Sequence, residues 1–152
     1  MSTTMGFEDL TVGTTWRSAS RTLTEAELSW SCMTSGDWHP IHADAEFAAG
    51  SPAGQRMFQG SYGIHVAMGM ATHLPELGAT VIAALGLNHW KFCAPLHVND
   101  TVHVEVALLA KRATSDGKRG VLERSIRLLK SDGVVAQEGV LSTLVLRKEG
   151  AT

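Results

Sequence analysis

Residues 35–60 read SGDWHPIHADAEFAAGSPAGQRMFQG, and this stretch decides how the rest of the chain is organised. Near its start it carries an acid, Asp37, and an imidazole, His42, on a predicted short loop. At its end Gly60 opens a predicted helix, whose first backbone N–H groups have no acceptor within the helix and can hold a developing oxyanion. An acid, a base and an anion-binding helix end within one supersecondary unit indicate an active site.

The composition is typical of a globular protein with one domain over residues 1–152. Its hydrophobic fraction of 44% and charged fraction of 18% are ordinary. The net charge of -2 argues against nucleic acid or an anionic membrane as a partner, because both require a basic surface. The chain has no membrane-length apolar run and no signal-peptide pattern, and Cys32 and Cys93 form no CxxC motif. We therefore expect a protein of the reducing cytoplasm.

A helix is predicted just before the acid. Thr24 and Glu27 have the spacing of a capping box, in which each side chain binds a backbone N–H near the other residue. The helix should end near Gly36, which can adopt the positive φ of a helix cap, and Pro40 prevents its continuation. Gly36 and Pro40 are thus predicted to position the loop that carries the acid and the imidazole.

The central helix is predicted over residues 60–74, GSYGIHVAMGMATHL. Its residues are apolar or small nearly all the way round, which indicates a helix buried on most sides. Gly63 and Gly69 each cost about 1 kcal/mol of helix propensity, and a close approach to a sheet would compensate. Gly60 is expected to allow a sharp entry that needs positive φ, and Pro75 should close the helix.

After residue 80 the apolar pattern changes to a period of two, which is typical of strands. Asp116-Gly117 and Asp132-Gly133 are strong hairpin signals. The predicted strands cover residues 11–20, 80–92, 102–112, 120–130 and 134–147. The last of these is apolar on both faces, as in a central strand that is covered on two sides. The order of elements predicts an α+β fold, with an antiparallel sheet wrapped around one long helix.

The motif residues also resemble a known family. Residues 35–44 contain Gly36-Asp37-x-His39-Pro40-Ile41-His42-x-Asp44, and Gln59-Gly60 follows at the right distance. This pattern is similar to the hydratase motif of the MaoC-like dehydratases, the (R)-specific enoyl-CoA hydratases. Residues 87–100, with Phe92-x-x-Pro95, resemble the strand and turn after the central helix of that family. The resemblance implies a single hotdog fold and a homodimer with the site near its interface.

The resemblance also implies roles for individual residues. Asp37 and His42 correspond to the catalytic pair, and the Gly60 N–H, with Ser61 beside it, corresponds to the donor to the thioester carbonyl. The implied substrate is a 2-enoyl thioester of coenzyme A, and neither a metal nor a redox cofactor is implied. Acyl-chain length and the choice between coenzyme A and acyl carrier protein stay open.

Several positions depart from the family pattern. His39 stands where many members have Asn, and Gln59 replaces the usual His, so that Gln59→His is expected to be tolerated. Ser61 and Tyr62 replace bulkier apolar residues, and Met68 stands where many hydratases have a serine. These changes leave the dyad intact but bear on the acyl pocket.

Alternatives remain at this point. Asp37 could merely cap the turn after Gly36, with His42 an ordinary loop histidine. The domain could also be a hotdog thioesterase that uses one carboxylate, or a non-catalytic acyl-thioester-binding subunit. The other histidines lack metal-ligand spacing, and Cys32 is expected to be a structural residue on the packed face of the first helix. The basic residues Lys111, Arg112, Lys118 and Arg119 are expected to form a solvated hairpin rim rather than a phosphate site.

Overall fold

The computed structural model describes residues 5–75 and 81–148. The described strands are β1 (Thr15–Arg17), β2 (Arg21–Thr22), β3 (Val81–Phe92), β4 (Thr101–Ala113), β5 (Arg119–Lys130) and β6 (Val135–Leu146). The described α-helices are α1 (Glu25–Ser35), α2 (Pro40–Ala43), α3 (Ala45–Ala49) and α4 (Gly60–Ala71). The predicted order of strand, helices and four antiparallel strands is therefore confirmed, except that two short strands, β1 and β2, replace the single strand predicted over residues 11–20. The single-domain prediction includes terminal residues outside the described ranges and stays a prediction.

The strands form a six-stranded antiparallel sheet in the order β1-β4-β5-β6-β3, with β2 also pairing with β4. The two predicted Asp-Gly turns join β4 to β5 and β5 to β6, and Gly117 and Gly133 both have positive φ there. Helix α4 packs against β4, β5 and β6. One long helix therefore lies on the inner face of an antiparallel sheet, as the sequence predicts.

The core lies between α4 and the sheet. Strand β4 contributes its predicted apolar face, since Val102, Val104 and Val106 are almost completely buried. Strand β5 adds Ile126 and Leu128, which are also fully buried. Because this packing extends along α4 from Tyr62 to Ala71, it holds the helix, including its beginning, at a defined position against the sheet.

Helix α1 is capped at both ends as predicted. The Thr24 hydroxyl accepts a hydrogen bond from the Glu27 N–H at 3.3 Å, and a Glu27 carboxylate oxygen accepts from the Thr24 N–H at 2.8 Å. At the other end Gly36 has φ 72° and donates its N–H to the Cys32 carbonyl. A left-handed residue in this place turns the chain away from the helix axis, and glycine adopts that conformation without strain.

Helix α4 begins at Gly60 as predicted but ends at Ala71, earlier than the predicted residue 74. Its buried face carries Tyr62, Val66 and Met70, whereas Ser61 and His65 on the opposite face are exposed. The prediction of a helix buried on most sides is therefore wrong for the single chain. Small apolar residues make a helix suitable for burial, but they do not show which neighbour covers it.

The two glycines inside α4 differ. A Cβ at Gly63 would collide with the side-chain amide of Gln137 on β6, so the predicted close approach to the sheet is confirmed there. At Gly69 no atom of the described residues, apart from its chain neighbours and the adjoining backbone of its own helix, lies within 4 Å of a Cβ position, so the same explanation is wrong for that residue. Gly63 is thus required by packing, whereas Gly69 lies on the open face of the helix.

The last strand is covered on one face only. On β6 Leu141 and Val145 are buried, whereas Leu144 is half-buried and Leu146 is exposed. The prediction of two covered faces is therefore wrong within one chain. The neighbouring strand β3 forms the edge of the sheet, and it exposes the apolar side chains Val81, Ile82, Leu85, Leu87 and Phe92.

Candidate active site

The acid and the imidazole lie on two short elements after α1. Asp37 lies in the connection that follows Gly36, and His42 lies on the one-turn helix α2. The prediction of a single loop is therefore wrong for His42. Pro40 does not continue α1, but it occupies the first turn of α2, where its missing N–H leaves no bond unmade. His39 caps α2, because its Nδ1 atom accepts the Ile41 N–H at 3.2 Å.

Asp37 is held by hydrogen bonds on both its backbone and its side chain. Its N–H donates to the Ser35 hydroxyl at 3.1 Å, and its carbonyl accepts from the Gln59 side chain at 3.2 Å. Its Oδ1 atom accepts the His39 N–H at 3.2 Å. These contacts leave Oδ2 facing His42, with 3.5 Å between Oδ2 and Nε2. The orientation of the carboxylate is thus fixed before any substrate binds.

The tautomer of His42 follows from its second nitrogen. Nδ1 lies 2.6 Å from the Met57 carbonyl oxygen, which can only accept a hydrogen bond, so Nδ1 carries a proton. In the neutral ring Nε2 therefore presents its lone pair toward Asp37. The His42 side chain is 10% exposed and that of Asp37 is 46% exposed. The imidazole is thus fixed in the protein, while the carboxylate remains open to a substrate or water.

The first turn of α4 offers unpaired donors. Within the described ranges neither the Gly60 N–H nor the Ser61 N–H has an acceptor, and the Gln59 side chain does not cap the helix. Free N–H groups at the positive end of a helix dipole bind an anion or a developing oxyanion. Gly60 and Ser61 therefore each present a free N–H group at this helix end, and their role as oxyanion donors stays a prediction.

The structure gives a different reason for a glycine at position 60 from the positive φ that the sequence predicts. Gly60 is not one of the residues with positive φ, so the expected backbone strain is wrong. Instead, a Cβ there would lie 2.9 Å from the Cε1 atom of Phe92. The Phe92 ring, 61% exposed at the end of β3, therefore lies against the helix start and forms a wall beside the free N–H groups. The sequence motif includes Phe92, but the contact between Phe92 and Gly60 could be found only from the folded structure.

A second polar cluster anchors the first turn of α4. The Tyr62 hydroxyl donates to a Glu27 carboxylate oxygen at 2.8 Å, and Arg21 donates to the same oxygen at 2.6 Å. Burial would raise the pKa of Glu27, but the hydrogen bonds from Arg21, Tyr62 and Thr24 outweigh it and lower the pKa to about 2. Burial and the bond to Glu27 together raise the pKa of Tyr62 to about 12. The capping-box spacing had identified Glu27 only as a cap.

Two of the cavities that border α4 also border α1. One of about 330 Å³ lies between α1 and the start of α4, and its lining includes Ser31, Ser61 and His65. Another of about 610 Å³ lies between residues 18–21, α1 and the middle of α4. Neither cavity is lined by Asp37 or His42.

The remaining candidates have structural surroundings. Cys32 is buried, as predicted. Lys111 donates to the carbonyls of Phe7 and Leu10, which ties it to the N-terminal segment rather than leaving it for a phosphate. His65 lies between the rings of Trp30 and Tyr62. Over residues 5–75 and 81–148, no group of three or more His, Cys, Asp and Glu side chains is arranged to hold a metal ion.

Comparison with solved structures identifies the fold class. A Mycobacterium tuberculosis protein with a double hotdog fold superimposes with a TM-score of 0.83 at 18% identity, over 97% of this chain and 46% of that one. An (R)-hydratase from A. caviae involved in PHA biosynthesis superimposes with a TM-score of 0.72 at 25% identity, over 93% of this chain and 99% of that one. The chain therefore has a hotdog fold, as predicted.

The sequence comparisons identify the family. The model of the MaoC like domain matches residues 9–126, which contain Asp37, His42 and Gly60. A 3-hydroxybutyryl-CoA dehydratase from Methylorubrum extorquens is 36% identical over 102 residues, which is 66% of this chain and 61% of that protein. Another curated relative is matched over 34% of its length, so the chain spans only part of these relatives. The protein belongs to the MaoC-like dehydratase family.

No helix in the described part of the chain is both long and apolar enough to cross a membrane.

Proposed function

We propose that this protein is a hydro-lyase that adds water reversibly to a trans-2-enoyl thioester of coenzyme A and gives the (R)-3-hydroxyacyl thioester. The observation that carries the proposal is the Asp37–His42 pair, with 3.5 Å between Oδ2 and Nε2 and with Nδ1 held by the Met57 carbonyl. This pair and the free N–H groups of Gly60 and Ser61 lie within one short stretch of the chain, residues 36–61. Two titratable groups that share one water can accept one proton and deliver another.

In the hydration direction one water binds to both the Asp37 carboxylate and His42 Nε2. The water oxygen bonds to C3 of the substrate as the water loses a proton to the dyad. The electron pair of the C2–C3 double bond moves toward the thioester carbonyl, and its oxygen becomes an oxyanion. The N–H groups of Gly60 and Ser61 bind that oxygen. A proton then passes from the dyad to C2, so the dyad returns to its starting protonation state.

The relatives support the same class of reaction. The Methylorubrum extorquens protein is a 3-hydroxybutyryl-CoA dehydratase, and the A. caviae protein is an (R)-hydratase. The proposed chemistry is acid–base catalysis with a bound oxyanion, and it requires neither a metal nor a redox cofactor. We place the enzyme in the cytoplasm, since its two cysteines are both unpaired and would suit a reducing compartment.

We also propose that the working form is a homodimer. Strand β3 is an open sheet edge with exposed apolar residues such as Leu85 and Phe92, and such an edge pairs readily with another strand. Phe92 also lies against Gly60, so a second copy on β3 would enclose the candidate site.

The decisive experiment is steady-state hydration of crotonyl-CoA, followed by the loss of enoyl-thioester absorbance. Asp37→Asn and His42→Ala should each lower kcat by about 10²–10⁴-fold, because a positioned acid or base contributes about that much. The double variant should be little worse than the poorer single variant, since the two groups act as a unit. Asp44→Asn is the matched control: it lies in the same motif, caps α3 and keeps a capping oxygen, so activity should be retained.

Measuring the release of free thiol from the same substrate distinguishes the proposed hydratase from the rival thioesterase. A thioesterase would release free coenzyme A without forming a 3-hydroxyacyl thioester. Absence of hydration with both coenzyme A and acyl-carrier-protein substrates, or full activity in either single variant, would exclude the proposed mechanism.

A further inference from the structure

Gln59 is a buried amide at the junction of the acid-bearing segment and the central helix. It is 5% exposed, and it directly precedes Gly60 at the N-cap position of α4. Its side chain does not bind the free N–H groups of its own helix. The side chain turns instead toward α1 and Asp37, so only the backbone of Gln59 takes part in the cap of α4.

The polar atoms of this amide all have partners on the other side of the junction. Oε1 accepts a hydrogen bond from the Ser31 hydroxyl at 2.6 Å. Nε2 donates to the Asp37 carbonyl at 3.2 Å and to the Cys32 Sγ atom at 3.3 Å. The Gln59 side chain therefore connects the N-cap of α4 to α1 and to the backbone of Asp37.

We propose that Gln59 is a positioning residue that sets the distance between the Asp37 carboxylate and the Gly60 N–H. The inference rests on the proposed function, because that distance matters only if both groups act on one substrate. The other restraints on Asp37 come from Ser35 and His39, which lie on the same short segment as the acid. Gln59 differs because it connects that segment to α4. The acid and the oxyanion donor must act on atoms of one enoyl thioester at the same time, so their separation decides whether both reach it.

The test compares the wild type with Gln59→Met, which keeps the length of the side chain but removes every hydrogen bond. We expect kcat for crotonyl-CoA to fall about 10–100-fold with KM within about threefold, since a misplacement near 1 Å can cost about 10²-fold in rate. Gln59→His should recover activity to within about tenfold of the wild type, because a ring N–H can again donate to the Asp37 carbonyl. That recovery distinguishes positioning from a loss of volume.

Val145→Ala is the control for lost stability. Val145 is fully buried in the second core cluster, away from α4, so its truncation should lower the urea midpoint without changing kcat. If Gln59→Met keeps kcat within threefold of the wild type, or if Val145→Ala loses as much activity at the same loss of stability, Gln59 is only a structural residue.

Crystal structures of the wild type and Gln59→Met supply a readout that is independent of the reaction. The separation between Asp37 Oδ2 and the Gly60 nitrogen should differ between them by more than about 0.5 Å, and an unchanged separation overturns the inference. A wild type without hydratase activity would instead refute the proposed function, so the two failures are distinguishable.

Discussion

Glu27 should make the stability of the protein depend on pH in a specific window. Its side chain is 23% exposed and accepts hydrogen bonds from Arg21, Tyr62 and Thr24. Burial opposes ionisation, but these bonds outweigh burial and lower the pKa from the ordinary 4.5 to about 2. The ionised carboxylate therefore stabilises the folded state relative to the unfolded chain.

The direction in which stability changes with pH follows from the lowered pKa of Glu27. The stabilisation is fully present above pH 4.5, and it is lost as the pH falls from there toward 2, because the unfolded chain takes up the proton first. At about 1.36 kcal/mol per pH unit, the contribution is about 3 kcal/mol at pH 7 and about 2 kcal/mol at pH 3.5. The difference of about 1 kcal/mol lies within the reach of urea denaturation.

The experiment is urea unfolding of the wild type and Glu27→Gln at both pH values. Glutamine keeps the size and one acceptor oxygen but does not titrate, so the variant should be less stable at pH 7 by up to about 3 kcal/mol. The gap should narrow by about 1 kcal/mol at pH 3.5. Glu25→Gln is the control, because Glu25 pairs with Arg56 but is 54% exposed, and exposed pairs contribute little. A gap of equal size at both pH values would refute this account of Glu27.

Two further predictions concern the helix start and the sheet edge. Gly60→Val should lower turnover of crotonyl-CoA by about 10²–10³-fold, the worth of one oxyanion donor, and Gly60→Ala should lose less because the exposed Phe92 ring can move aside. Circular dichroism checks folding, and a folded Gly60→Val with near wild-type turnover would place the oxyanion elsewhere. Light scattering should give a dimer that Leu85→Lys on β3 weakens, whereas a wild-type monomer at working concentrations would contradict the proposed pairing.

Local signals predicted the elements of the fold well. The Thr24 and Glu27 capping box, the cap at Gly36 and the Asp-Gly turns each depend on residues within a few positions of one another. Such features can be predicted from the sequence because the interactions that decide them are local. The end of α4 and the exposure of its second face could not, because they depend on what packs against the helix. Gly63 and Gly69 show this clearly, since a side chain of the sheet lies against Gly63, whereas no side chain of the described residues lies against Gly69.

The candidate site also has one part that the sequence predicts and another part that depends on the fold. The motif identified Asp37 and His42, and the structure places them 3.5 Å apart at their facing atoms. The contacts that orient them come from elsewhere in the chain: Met57 lies 15 residues from His42, and Gln59 lies 22 residues from Asp37. No local pattern predicts such pairs.

The position of those distant contacts explains why the spacing between motif and glycine is informative. Met57, Gln59 and Gly60 lie within four consecutive residues, just before and at the start of α4. The Met57 carbonyl fixes the His42 ring, the Gln59 amide holds the Asp37 backbone, and Gly60 presents the free N–H. Because α4 is itself packed against the sheet, residues 57–60 have a fixed position. They therefore hold the His42 ring, the Asp37 backbone and the Gly60 N–H at fixed positions relative to one another. The position of this segment against Asp37 and His42 therefore decides the geometry of the candidate site.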